Sequence, residues 1–137
     1  MFSVSAKGVY GLTAMVELAN RWQQGSTQIK AIAKPHSIPQ HYLEQILVML
    51  KKAGLVESFR GAHGGYSLAR NPAQITVLEI LQHLEGPLEV TPDNSCADTL
   101  SFFWNDVSGM LHEKLNLTLD KLALDQVKHS QQLTYSI

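Results

Sequence analysis

Apolar positions in the first part of the chain fall into two adjacent helical stripes. From Ala6 to about Gln23, Val9, Leu12, Val16 and Ala19 keep helical spacing, and Met15, Leu18 and Trp22 form a second stripe beside them. An apolar arc of that width exceeds what one partner covers. It predicts a helix packed on its own domain and on something else, a dimer partner being the natural candidate and a central helix of a monomeric core the alternative. Gly25 and Ser26 break the pattern. Thr27 can cap a short helix with Ile29, Ile32 and Ala33 inward, and Pro35 stops it. After the turn His36-Ser37-Ile38, Pro39 suits the first position of a new helix, and Gly54 suits its end as a left-handed cap. A short helix, a tight turn and a longer helix outline a helix-turn-helix.

The longer helix divides into two faces at about 100° per residue. Leu43, Ile46, Leu47 and Leu50 form the core stripe, while His41, Gln45, Val48 and Lys52 point the other way, flanked by Gln40 and Glu44. That outer set can read DNA. Glutamine pairs bidentately with adenine, histidine reaches base edges or phosphate, valine touches a thymine methyl and lysine neutralises phosphate. For an isolated helix the same face would read as merely solvated.

The segment after Gly54 changes that reading. Leu55 to Arg60, then Gly61-Ala62-His63-Gly64-Gly65, then Tyr66-Ser67-Leu68 spell strand, glycine-rich turn and strand. Arg60 and His63 sit at the tip, and an arginine on a slim hairpin suits a narrow minor groove. A phosphate-binding loop is excluded, since no Lys-Ser/Thr comes after it and no helix starts there. Directly after a helix-turn-helix, the hairpin reads as a wing.

Further on, Thr76 with Glu79 forms a capping-box pattern, Ile75 with Ile80 the matching staple, and Val77, Ile80, Leu81 and Leu84 one buried face. Residues 85–99 have the composition of a loop and contain Cys96. From about Asp98 to Leu115 a helix carries the apolar seam Leu100, Phe103, Trp104, Val107, Met110 and Leu111, which together with the spare surface of the first helix favours pairing across a twofold axis over folding back on the same chain. Thr118 can start a last short helix with Leu119 and Leu122 inward. Lys128 onward reads as a loosely held tail. The expected organisation is a winged helix-turn-helix domain over 1–84, a sensing loop over 85–99, a dimerisation helix and short last helix over 98–124, and a flexible tail over 125–137.

Composition adds compartment and charge. The chain has 137 residues, 45% hydrophobic and 17% charged, which suits one compact domain, or a small domain with an attached dimerisation arm. No membrane-length run or signal-type cleavage region is visible, so a cytoplasmic protein without membrane contact is expected. The net charge of −1 conceals an asymmetry: residues 1–72 carry +5 and the remainder −6. A basic front half suits nucleic acid. One cysteine excludes an intrachain disulfide or a multi-cysteine metal site, and the six histidines lack ligand spacing. No nucleophile has a base near it in sequence, so no enzyme activity is expected.

The stretches SAKGVYGLTAMVELA, IAKPHSIPQHYLEQIL, LKKAGLVESFRGAHGGYSLAR and ITVLEILQHLEG resemble the bacterial regulators IscR, NsrR and CymR, the Rrf2-type family, from about Ser5 to Leu122. Tyr42-Leu43-Glu44-Gln45, and Gly54-Leu55-Val56 with Ser58, Arg60-Gly61 and Gly64-Gly65-Tyr66, are its most specific parts. The resemblance implies a winged helix-turn-helix dimer, mainly α with a small β-hairpin wing, in which the Trp104 helix packs on its twin and on the partner's first helix. It implies a transcriptional regulator, expected to repress from a near-palindromic double-stranded DNA operator in response to a redox, iron or sulfur-related signal. By position, base reading falls on Gln40, His41, Glu44 and Gln45, the minor-groove wing on Arg60 to Gly64, and backbone contacts on Lys7 and Gln28. The alternative is a winged-helix module for protein contacts without specific DNA binding.

This chain also departs from the family pattern. Many members hold an iron-sulfur cluster on three loop cysteines, whereas here Cys96 stands alone and Ser101 takes the place of a histidine. No cofactor is expected, a cluster shared across the dimer with non-cysteine ligands being the disfavoured exception. Cys96 reads either as incidental or as a redox thiol switch. Pro39 replaces the small capping hydroxyl usual at that point.

Overall fold

The computed structural model describes residues 3–91 and 99–135. Helix α1 (Ala6–Asn20) leads to the pair α2 (Ile29–Ala33) and α3 (Gln40–Lys52), then strands β1 (Val56–Phe59) and β2 (Gly65–Leu68), then α4 (Val77–Glu85), α5 (Ser101–Leu115) and α6 (Leu119–Tyr135). This is the expected mainly helical winged helix-turn-helix. Met15 and Leu18 of α1, Ile32 of α2, and Leu43, Ile46, Leu47 and Leu50 of α3 converge with Ile75, Ile80, Leu84 and Leu119 on one core. The faces read from periodicity in α3 and α4 are those buried.

Helix α1 is central, packing on α3, α4 and α6. Gly11 permits the approach of α4: a Cβ there would lie 2.3 Å from Leu84 Cδ1. The N-terminus of α1 has no acidic residue in its first turn and no side-chain cap of its own. Glu85, at the end of α4, supplies the charge. Its Oε1 accepts from Ser5 N–H at 3.0 Å, Ser5 Oγ at 2.5 Å and Gly8 N–H at 3.1 Å. A carboxylate there satisfies orphan amides and complements the helix dipole.

Several boundaries differ from the sequence reading. Helix α1 stops at Asn20 rather than near Gln23, because Arg21 and Trp22 close tight i to i−3 turns and Gln23 takes φ 65°. Thr27 is not a cap. It is buried and pairs with Tyr66 through two backbone hydrogen bonds of 2.8 Å, adding a one-residue third strand to the wing, and Gln28 takes the cap position. Pro39 lies just outside α3 as its N-cap residue, with its carbonyl accepting from Leu43 N–H at 2.9 Å. Pro35 sits in a 3-10 turn (Lys34–His36) that continues from α2, and Ser37 reverses the chain at φ 53°. Of the capping box, Thr76 accepts from Glu79 N–H at 3.0 Å, but the Glu79 carboxylate takes Arg70 at 2.6 Å. Ile75 and Ile80 of the staple are both fully buried.

The largest correction concerns the end of the chain. The sequence pattern predicts a short helix and a flexible tail over 125–137, yet α6 runs unbroken to Tyr135. Leu119 and Ala123 anchor it in the core, and its 17 residues contain neither glycine nor proline to end it. Cys96 lies outside the described residues.

Candidate nucleic-acid interface

Burial of Leu43, Ile46, Leu47 and Leu50 fixes the rotation of α3 and turns Gln40, His41, Glu44, Gln45, Val48 and Lys52 to solvent. The Nε2 atoms of His41 and Gln45 lie 3.4 Å apart, so the two side chains sit side by side one turn apart. Their neighbours at the end of the helix have divided roles. Lys51 Nζ donates to Ser58 Oγ at 2.6 Å and ties α3 to β1, whereas Lys52 is exposed.

The wing is an antiparallel pair in the register Val56↔Leu68, Glu57↔Ser67, Ser58↔Tyr66 and Phe59↔Gly65. Side chains alternate, so Val56 and Ser58 face inward and Glu57 and Phe59 outward. At the tip Gly64 N–H donates to Gly61 carbonyl at 2.9 Å, leaving Arg60, Gly61 and His63 exposed. Below the tip, Ser26 Oγ donates to the His63 carbonyl and Thr27 pairs with Tyr66. The hairpin is thereby held to the chain just ahead of α2. It is positioned relative to the helix-turn-helix by backbone hydrogen bonds.

Between wing and helices runs a groove of about 560 Å³. It unites five residues singled out from the sequence: Gln28 before α2, Gln40 at the start of α3, and Arg60, Gly61 and Gly64 of the wing. Lys30, Ser58 and Tyr66 line it as well, so Lys30 and Arg60 give it two cations and no carboxylate lines it. The sequence reading missed Lys30. Its signal is a second cation two residues after Gln28, on the solvent side of a short helix. His63 lies instead around the hairpin tip, lining a smaller concavity of about 360 Å³ with Gln28 and Gly64. Lys7 is half-buried in the first turn of α1 and is not among the groove residues.

Helix α5 buries none of its side chains within the chain. Leu100, Phe103, Trp104 and Met110 are 37–65% exposed, Val107 and Leu111 are half-buried, and Phe102, outside the expected seam, is 72% exposed. Val9 on α1 is 53% exposed, but Val16 of the same stripe is buried and Leu12 and Ala19 are half-buried against the chain's own core, so the spare surface read on this helix narrows to Val9. Among the described residues no three His, Cys, Asp or Glu side chains are grouped to hold a metal, and no helix is long and apolar enough to cross a membrane.

Known proteins are similar to this chain in sequence and fold. The family profile described as "Rrf2: Iron-dependent Transcriptional regulator" matches residues 4–130. The HTH-type transcriptional regulator CymR of Bacillus subtilis is 43% identical over 124 residues, covering 88% of each chain. A solved structure titled as that of CymR, the global cysteine regulator of B. subtilis, superimposes with a TM-score of 0.83 at 40% identity, over 90% of this chain and 97% of the other. The structure of T. potens IscR gives 0.75 at 41% identity, over 88% and 86%. The chain therefore belongs to the Rrf2 family and is a DNA-binding transcriptional regulator of the winged helix-turn-helix type, not an enzyme.

Proposed function

We propose that the protein represses transcription as a homodimer on a near-palindromic operator, with each α3 entering a major groove and each wing an adjacent minor groove. The groove that unites Gln28, Gln40 and Arg60 beside the exposed face of α3 carries this reading. Gln40, His41, Glu44 and Gln45 lie in the first two turns of α3, the part of a recognition helix that meets base edges. Glutamines read adenine, and Glu44 accepts from cytosine N4 while repelling phosphate, which favours selectivity over raw affinity. Lys52, Gln28 and Lys7 contact the backbone, and Lys30 joins them. Arg60 enters the minor groove from a tip made slim by Gly61 and Gly64, with His63 beside it.

Residues 1–84 form the reading unit. The apolar seam that begins just before α5 and runs along it (Leu100, Phe103, Trp104, Val107, Met110 and Leu111) packs on its twin and on Val9 of the partner's α1, and α6, with Leu124 and Val127 exposed, extends this arm. The sensing role expected of residues 85–99 falls to the segment after Glu85, which itself ends α4. A three-cysteine iron-sulfur cluster does not fit a chain with one cysteine. Because CymR is described as a global cysteine regulator, a sulfur-related or thiol-redox signal read by Cys96 is the class we assign.

Selection of binding sites from random duplexes tests the reading. A twofold-symmetric site with half-sites about one helical turn apart is expected, and failure to enrich any symmetric site refutes it. Cys96→Ser should abolish the response to oxidants; a retained response removes the thiol switch.

A further inference from the structure

The wing has a further concave side that shares Arg60 and His63 with the proposed DNA contacts but adds residues that DNA reading does not use. Phe59 projects from the outer face of the hairpin and is 49% exposed. It faces the turn after α1, where Trp22, Gln23 and Ser26 complete a pocket of about 610 Å³, within the range of small-molecule sites. The walls are mainly apolar. Ser26 and Ser67 bring hydroxyls, Arg60 brings a guanidinium and His63 an imidazole, and no carboxylate lines the pocket. Gln23 holds φ 65°, a left-handed conformation costly for a residue with a Cβ, and conformations of this kind gather at ligand sites.

We propose that this pocket binds a small flat aromatic carboxylate and that its occupant competes with DNA for Arg60. The indole and phenyl faces select a flat apolar body, and a permanently charged guanidinium selects an anion, which it can hold bidentately. Phe59 and Arg60 line both this pocket and the groove toward α3, so the Arg60 side chain can serve only one of them at a time. Ligand binding therefore lowers operator affinity without any change at α3. This second half rests on the DNA-contacting role proposed for Arg60.

Naphthoate, with naphthylmethanol as its neutral analogue, is the probe, titrated into the full-length protein. The chain has two tryptophans, so the indole N–H resonance of Trp22 can be assigned against that of Trp104. Naphthoate should shift the Trp22 resonance saturably and leave Trp104 unmoved. Arg60→Gln and loss of the carboxylate should each weaken binding about tenfold. Ser67→Leu, which fills the pocket from outside the proposed DNA contacts, should abolish the shift and keep operator affinity. Saturating naphthoate should lower operator affinity of the unmodified protein by about tenfold.

An unmoved Trp22 resonance, or equal binding of the neutral analogue, overturns the pocket. Naphthoate binding with unchanged operator affinity overturns the competition. If Arg60→Gln itself leaves operator affinity unchanged, the wing reading fails, and the naphthoate titration still decides the pocket.

Discussion

Replacing Gly65 by alanine probes how the wing is held to the helix-turn-helix. Gly65 opens β2 at φ 149°, and a Cβ there would lie 2.3 Å from the carbonyl oxygen of Thr27 and 2.8 Å from the amide nitrogen of Gln28. Both obstacles are backbone, so no rotamer change relieves them. The strand must move away from residue 27, which breaks the two Thr27–Tyr66 hydrogen bonds of 2.8 Å. At about 1 kcal/mol each these bonds contribute ~2 kcal/mol, and a backbone conformation that favours glycine adds ~1–3 kcal/mol. The expected loss is thus ~3–5 kcal/mol of local stability. Gly61 is the control: its φ is 98°, but nothing lies within 4 Å of a methyl group at that position, so Gly61→Ala carries only the backbone cost of ~1–3 kcal/mol. Amide exchange at Tyr66 reads the difference, because the wing seam can open without global unfolding. Protection at Tyr66 should fall roughly a hundredfold or more in Gly65→Ala and clearly less in Gly61→Ala. Operator affinity should fall in Gly65→Ala as the wing loses its placement. Equal exchange at Tyr66 in both variants would refute the argument that close approach, rather than φ alone, demands glycine at 65.

Three further outcomes are expected. Glu85→Ala removes the acceptor of Ser5 and Gly8 and should destabilise the fold by ~1–2 kcal/mol, the scale of a lost helix cap, read by urea unfolding. Gln45→Ala should change which bases are selected, whereas Lys52→Ala should weaken all sequences alike and reduce the slope of log affinity against log salt by about 1; identical selection profiles for both would contradict their division of labour. Trp104→Glu should raise the dimer dissociation constant by roughly thirtyfold or more, read by sedimentation, and an unchanged assembly state would exclude α5 as the interface.

Periodicity makes most of the helices legible in advance. In α3 the buried stripe of Leu43, Ile46, Leu47 and Leu50 leaves only one direction for His41, Gln45 and Lys52 to point, and the structure turns them that way. The wing is legible as well, since three glycines in five residues between short apolar runs leave few other readings. Helix ends are less so. Apolar spacing extends α1 to Gln23 although that residue adopts φ 65°. The polar run after Lys128 reads as a tail because its residues contribute no core stripe, whereas helix propensity without a breaker carries α6 to Tyr135.

Local rules reach about one helical turn or one strand pair, so they can assign faces and turns from residue order. They cannot show that Thr27 pairs with Tyr66 instead of capping α2, or that Glu79 takes Arg70 rather than completing its capping box. Nor can they show that Glu85 caps a helix eighty residues earlier. Each of these joins atoms whose separation is set by how whole helices pack around the α1 core. The groove arises in the same way: Gln28, Lys30, Gln40 and Arg60 belong to three separate elements, and they face one another because backbone hydrogen bonds dock the hairpin ahead of α2 while Lys51 ties β1 to α3.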